Sequence, residues 1–236
     1  MKIEILRNAE SVARVAAKLI AEEARRAVTT RGGFVMAVSG GKTPWKMLRD
    51  LARESVPWNA LHVVQVDERI APTGDPDRNL THLRDSLLSH APLRAEQIHA
   101  MPVESENLES ACACYTQTLR EIAGSPPVVD LVHLGLGPDG HTASLIPGDP
   151  VLDIVDADVA LTGIYQGRRR MTLTYPLIDR SRLILWLVTG SEKAGMLVRL
   201  CGQDNSIPAG RVRSDRSQAL ADHAAASRLE GNSRIL

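Results

Sequence analysis

Aromatic residues are nearly missing from this chain. They make up 3% of its 236 residues, and Phe34 is the single phenylalanine. A core without rings must be assembled from Leu, Val, Ile and Ala. Cysteine is scarce too: Cys112, Cys114 and Cys201 form an odd set with no Cys-x-x-Cys pair and no Cys/His ligand spacing. That pattern argues against a disulfide framework or a structural zinc site and for reduced, structural thiols. Net charge is also absent, since 28 basic residues balance 28 acidic ones. A general nucleic-acid binder would carry a basic excess, so no nucleic-acid partner is expected. No apolar run approaches the ~20 residues of a membrane span, and no membrane partner is expected either. The opening stretch MKIEILRNAESVARVAAKLIAEEARR carries acids from Glu4 onward and has no continuous apolar centre, unlike a signal peptide. The expected location is the cytoplasm.

What is present is ordinary globular material, 44% hydrophobic and 24% charged, and the length suits a single domain over residues 1–236. A short strand at Lys2–Leu6 precedes a helical pattern over residues 9–28, where Val12, Val15, Ala16, Leu19 and Ile20 recur at helical spacing. Apolar runs at Phe34–Val38, Leu61–Val66, Val128–Leu134 and Leu183–Val188 read as buried strands, with a shorter one at Met171–Thr174. Helices are expected from Thr43-Pro44 to about Ala52, over 79–88, over 106–123 and over Ser191–Leu200. The chain closes on a weak strand around Gln218–Ala221 and an alanine-rich helix around 221–229. Apolar strands alternating with helices predict an α/β fold, doubly wound, with a mostly parallel central sheet flanked by helices. Residues 145–175 break that rhythm with Pro, Asp and Gly and predict a small antiparallel insertion.

Open parallel sheets bind ligands beyond the carboxyl ends of their strands. Four such ends carry unusual residues. In Ser39-Gly40-Gly41-Lys42-Thr43-Pro44, two glycines let the backbone approach an anion and the following helix start offers free N–H groups. Lys42 and Thr43 add a charge and a hydroxyl. The spacing is not that of a P-loop. Val66-Asp67-Glu68-Arg69 places three charges directly after a strand, at the rim where a ligand would sit. Gly135-Leu136-Gly137-Pro138-Asp139-Gly140-His141 is the densest segment. There His141 suits a general base near neutral pH, and Asp139 or another carboxylate suits fixing its tautomer. Thr142 and Ser144 are placed to cap the turn that follows, and His133 reads as a core histidine inside its strand. The fourth group is basic: Arg168-Arg169-Arg170 before a strand, and Lys193 at a strand-to-helix junction. Arg offers an anion a bidentate grip and Lys a point charge, and Arg170, next to Met171, is the arginine expected to face a ligand. These groups describe an anionic small molecule and a histidine base. No cluster at metal-ligand spacing and no GxSxG serine elbow appears, and the glycines at 135, 137 and 140 lack the downstream acid of a dinucleotide site. No metal and no cofactor are expected.

SGGKTP, VDERIAP followed by Asn79-Leu80, LGLGPDGHTASLIPG, RMTLTYPLI and VTGSEKA stand here in one order. In these blocks the chain resembles the 6-phosphogluconolactonases, within a larger group of sugar-phosphate isomerases and deaminases. The resemblance covers about residues 34–200, and its most diagnostic block is GPDGHTASL. It implies hydrolysis of 6-phospho-D-glucono-1,5-lactone to 6-phospho-D-gluconate in the oxidative pentose phosphate pathway, by a monomer or homodimer. By that likeness His141 activates the attacking water. Gly40, Gly41 and Lys42, with Arg69, Arg170 and Lys193, surround the phosphate or the developing oxyanion, and Asp67 lies near the sugar. The chain departs from the family at Ile146, where Phe is frequent, and at Lys42, where a small hydroxyl residue is common.

Two other readings fit less well. A glucosamine-6-phosphate isomerase/deaminase would continue its histidine block toward Phe-Asn-Glu and carry Tyr where Arg69 stands. Here the block runs Thr142-Ala143-Ser144-Leu145-Ile146-Pro147, with no acid before Asp149. A non-catalytic sugar-phosphate sensor would need a DNA-binding module, for which residues 1–33 are too short beside their own strand and helix.

Overall fold

The computed structural model describes residues 1–229. Seven strands form a parallel sheet: β1 (Lys2–Leu6), β2 (Phe34–Val38), β3 (Leu61–Gln65), β5 (Ile98–His99), β6 (Leu131–Gly135), β9 (Leu183–Val188) and β10 (Ser217–Asp222). Their order across the sheet is β1-β10-β9-β6-β2-β3-β5. A second, three-stranded antiparallel sheet joins β4 (Asp67–Arg69) and β7 (Val159–Leu161) on either side of β8 (Arg170–Leu173). The expected α/β architecture is therefore present, and so is the antiparallel insertion, although its third strand comes from outside residues 145–175.

Helices cover both faces of the large sheet because its central strands are apolar on both sides. In β2, Phe34, Met36 and Val38 point into one hydrophobic cluster, while Val35 and Ala37 point into the other. Helix α1 (Ala9–Arg31) packs on the first face through a stripe of Val12, Ala16, Ile20, Ala24 and Ala27. Its alanines let the helix approach the sheet closely. Asn8 caps its first turn by accepting from the Ser11 N–H at 2.9 Å, and Gly32 ends it in the left-handed conformation. Helix α2 (Lys42–Leu51) lies beside α1 and buries Met47, Leu48 and Leu51 in the same cluster. Helix α3 (Asn79–Leu83) follows β4, and helix α4 (Leu108–Ala123) covers the opposite face through Ala111, Tyr115 and Leu119.

Two expectations need correction, and one charged segment is more ordered than its sequence suggests. Asp67, Glu68 and Arg69, expected at the rim after a strand, are themselves strand β4, and Glu68 is fully buried. Its carboxylate accepts from the Gln65 amide and from the backbone N–H groups of Arg69, Asn79 and Leu80, each at 2.8 Å. Two of those N–H groups are the opening donors of α3, so one buried acid both caps that helix and ties it to β4. Residues 79–88 are not one α-helix: the α-helical turn ends at Leu83 and Arg84–Leu88 continues as a wider π-helical turn. The closing strand expected around Gln218–Ala221 is present as β10, but it runs on through Asp222, and the helix expected around 221–229 spans only His223–Ala226. Pairing with both β1 and β9 overrides the helix propensity of that alanine-rich stretch.

Candidate active site

The carboxyl ends of β2, β6 and β9 open into a cavity of about 460 Å³, whose wall is completed by the second sheet. Every predicted site residue except Asp139 lines it, and Asp139 touches it through His141.

The loop after β2 is anchored from below by His133. Its Nδ1 accepts from the Ser39 N–H at 3.2 Å, and the Ser39 hydroxyl donates to the His133 carbonyl at 3.0 Å. Burial pushes the His133 imidazole down to about 3, so it stays neutral and serves as a structural acceptor. Gly40 follows, and a Cβ there would lie 2.1 Å from Asn79 Oδ1, so only glycine fits. Helix α2 then starts at Lys42 with Gly41 as N-cap and no side-chain cap, leaving opening N–H groups beside the cavity. Thr43 is fixed by a 2.7 Å hydroxyl contact with Thr189 at the end of β9.

The loop after β6 bends back on itself. Gly137 N–H donates to the His141 carbonyl at 2.8 Å, and the Gly140 N–H to the Gly137 carbonyl at 3.1 Å. This brings His141 Nδ1 to 2.5 Å from Asp139 Oδ1, while the same oxygen accepts from the His141 N–H at 3.1 Å. Partial burial pushes the Asp139 carboxyl up, but hydrogen bonds from the His141 backbone and ring and from the Tyr165 hydroxyl outweigh it. The carboxyl titrates below its ordinary range. Asp67 is not the partner of His141. It is buried, accepts from the Ser144 hydroxyl at 2.6 Å and from the Asn79 amide at 3.3 Å, and so joins the β4 and β6 loops. Ser144 thus does not cap a turn as expected. Residues 142–145 close on each other through a bridge between Thr142 and Leu145, which leaves no helix start there to cap.

Positive charge converges from three elements. Arg170, on β8, is 5% exposed, and its Nε has no hydrogen-bond partner. Burial, and then the nearby Arg69, push its guanidinium below the ordinary value, with Asp67 offsetting part of the effect. Arg69 donates to the Asp77 carbonyl at 3.1 Å and to the Asn79 side chain. Lys193, in the 3-10 turn Ser191–Lys193 after β9, is likewise pushed down by burial, against the pull of Glu192 and Asp139. Arg168 instead pairs with Asp75 and Asp77 at 3.0 and 3.2 Å, and Arg169 donates to the Thr162 carbonyl at 3.3 Å. Of the three consecutive arginines, only Arg170 lines the cavity. Among the described residues, no group of three or more His, Cys, Asp or Glu side chains could hold a metal ion.

Residues 7–221 match the family described as glucosamine-6-phosphate isomerases/6-phosphogluconolactonase. The chain belongs to that family. It is similar to the 6-phosphogluconolactonase of Synechocystis, with 35% identity over 196 residues, 81% of each protein. Among solved structures it is similar to the 6-phosphogluconolactonase of Thermotoga maritima, at 26% identity and a TM-score of 0.83, covering 94% of this chain and 98% of the other. A monomeric glucosamine-6-phosphate deaminase shares the fold at 21% identity and a TM-score of 0.84, covering 97% of this chain and all of the other (100%). At that identity the likeness speaks for the fold alone, so the side chains of this family's pocket must separate one activity from another.

One residue that touches the pocket's side chains is not signalled by any motif in the sequence. Tyr165 donates to Asp139 Oδ2 at 3.1 Å and meets the His141 ring edge-on, with centroids 5.7 Å apart. Its one distinguishing mark is rarity, as one of three tyrosines and the one set between two nearby glycines.

Proposed function

We propose that this chain hydrolyses 6-phospho-D-glucono-1,5-lactone to 6-phospho-D-gluconate in the oxidative pentose phosphate pathway. The observation that carries the reading is the His141–Asp139 pair, held at 2.5 Å beside a cavity lined by the buried Arg170, whose Nε has no hydrogen-bond partner among the described residues.

Asp139 occupies Nδ1 of His141, which leaves Nε2 as the nitrogen free to take a proton. A water between Nε2 and the lactone carbonyl gives its proton to the imidazole as its oxygen bonds to C1. The carbonyl electrons move onto oxygen, where Arg and Lys donors stabilise the tetrahedral oxyanion. Collapse breaks the bond between C1 and the ring oxygen, and the imidazolium returns its proton to that oxygen. The new acid loses its own proton to water. Nothing is oxidised or reduced and the carbonyl is already an activated ester, so the scheme asks for no cofactor and no metal. A positioned base supplies about 10²–10⁴-fold. The N–H groups at the start of α2, with Gly40, Gly41, Lys42 and Thr43, suit the phosphate, and Arg69, Arg170 and Lys193 suit the phosphate or the oxyanion. Asp67, held by Ser144 and Asn79, suits the sugar hydroxyls as an acceptor. The protein acts as one folded unit in the cytoplasm, as a monomer or homodimer.

The lactone is made in situ by oxidising glucose 6-phosphate, and its decay is followed by phosphorus NMR. The wild-type protein is expected to shorten the lactone lifetime well below the spontaneous one. Unchanged decay with folded protein, together with ammonia release from glucosamine 6-phosphate, would replace the lactonase reading with the deaminase one.

A further inference from the structure

The His141–Asp139 pair uses only one side of its carboxylate, and the other side is met from a different part of the fold. Residues 162–169 link β7 to β8 as a hairpin whose tip, Gln166-Gly167, has φ of +51° and +80°. Reciprocal bonds between Tyr165 and Arg168, at 3.0 and 3.2 Å, close it as a two-residue turn. Its base is pinned. Arg168 holds Asp75 and Asp77, and the Gly163 N–H donates to Asp149 Oδ2 at 2.9 Å. The tip beyond that base is exposed, with Ile164 77% accessible, yet Tyr165 turns inward and is only half-exposed.

Inward, Tyr165 makes three contacts. Its hydroxyl donates to Asp139 Oδ2 at 3.1 Å, its ring edge meets His141 at 5.7 Å between centroids, and the Arg170 guanidinium lies 5.1 Å from its ring centre. A loop residue with no other purpose would not satisfy the second oxygen of the carboxylate that orients the base and also cover the buried arginine.

We propose that Tyr165 is a positioning residue for the hydrolysis, locking Asp139 from the side opposite His141 and stacking Arg170 toward the substrate anion. This rests on the lactonase reading above. With both oxygens engaged, Asp139 cannot rotate about its carboxyl axis without losing a bond, so the imidazole it holds keeps one tautomer and one aim. Burial and the bond to Asp139 push the Tyr165 hydroxyl above its ordinary value, so it remains a donor at neutral pH. The stack on Arg170 fixes a long side chain whose Nε is unpartnered and whose one side-chain bond, to Gln166 Oε1, is long at 3.4 Å.

The two functions separate in two variants. Tyr165→Phe keeps the ring and removes the hydroxyl. Its kcat is expected to fall about three- to tenfold, part of the worth of a hydrogen bond to a carboxylate, since Asp139 keeps its bonds to His141, with KM nearly unchanged. A carboxylate relieved of that donor attracts the imidazolium more strongly, so the acidic limb of the rate profile moves to higher pH. The other charged groups around His141 stay as they are: Lys42 on α2, Arg170 on β8, Glu192 and Lys193 after β9, Asp67 and Arg69 on β4. Tyr165→Leu removes the stack as well and is expected to add a several-fold rise in KM. Both variants should melt with the wild type, because the hairpin tip buries little. A Phe variant with wild-type kcat and an unmoved acidic limb would overturn the proposal. So would a fall in kcat accompanied by a lower melting temperature and an unmoved limb. An inactive wild type would instead count against the lactonase reading itself.

Discussion

Gly137 has no side chain because the imidazole of His141 occupies its place. A Cβ there would lie 2.1 Å from Nδ1 of His141 and 2.6 Å from Oδ1 of Asp139. The loop after β6 is wound so tightly that the His141 imidazole and the Asp139 carboxylate rest against the backbone that carries them. The loop is closed by its own backbone hydrogen bonds and held from outside by the Ala209 N–H, which donates to the Gly140 carbonyl at 3.0 Å, and by the Tyr165 hydroxyl on Asp139.

Gly137→Ala therefore displaces the His141–Asp139 pair while leaving the sheet intact. Lactone hydrolysis is expected to fall by about 10²-fold, as for an ångström-scale misplacement of a reacting group. Circular dichroism and melting should change little. A fully active alanine variant would show that the pair tolerates movement.

Arg170 and Arg69 are like charges brought together at the cavity, with Asp67 offsetting only part of the effect on Arg170. Arg170→Gln should raise KM for the phosphorylated lactone by tenfold or more and leave the melting temperature equal to or slightly above wild type. Inorganic phosphate should raise the melting temperature of the wild type more than that of the variant. A destabilised variant with unchanged KM would make Arg170 a structural residue.

Glu68 gives the opposite case, a buried acid whose value is stability. Glu68→Gln replaces one acceptor oxygen by a donor facing N–H groups, and denaturant unfolding should show a loss of about 3–5 kcal/mol. A loss under 1 kcal/mol would mean that the β4–α3 junction is held by something else.

These three residues mark what the sequence shows and what it hides. Gly137 and His141 are readable because glycines, a proline, an acid and a histidine seldom crowd into a turn that merely reverses the chain. Arg170 is readable as a cation next to a strand, although only the fold shows that Arg168 and Arg169 turn toward Asp75, Asp77 and Thr162. Glu68 is hidden: a charged triplet ordinarily means solvent, and the donors that bury this one come from Gln65, Asn79 and Leu80, the last two 11 and 12 residues away. Tyr165 is hidden for the same reason, because its partner Asp139 lies 26 residues earlier. The central strands were legible from their apolar runs, whereas β10 was legible only as a weak strand, since its alanines favour a helix until two neighbouring strands pair with it.

His133 predicts a pH dependence of stability. Its imidazole titrates near 3 when folded and near 6.5 when unfolded, so below pH 6.5 the unfolded chain binds a proton that the native one refuses. Stability is complete above pH 6.5 and declines as pH falls toward 3, by about 1.4 kcal/mol per unit from this residue. His62 and His99, both pushed down by burial, add in the same direction. Denaturation at several pH values should therefore show a shallower decline for His133→Asn. Parallel curves would contradict a neutral, buried His133.

The lactonase mechanism turns on His141 as the base. The most direct measurement compares lactone decay over pH for wild type and His141→Gln, after subtracting the spontaneous reaction. The wild-type rate should rise with pH to a plateau, and the variant should lose about 10²–10⁴-fold with no such rise. A variant that keeps the wild-type rate and profile would contradict this mechanism and move the base to another residue of the cavity.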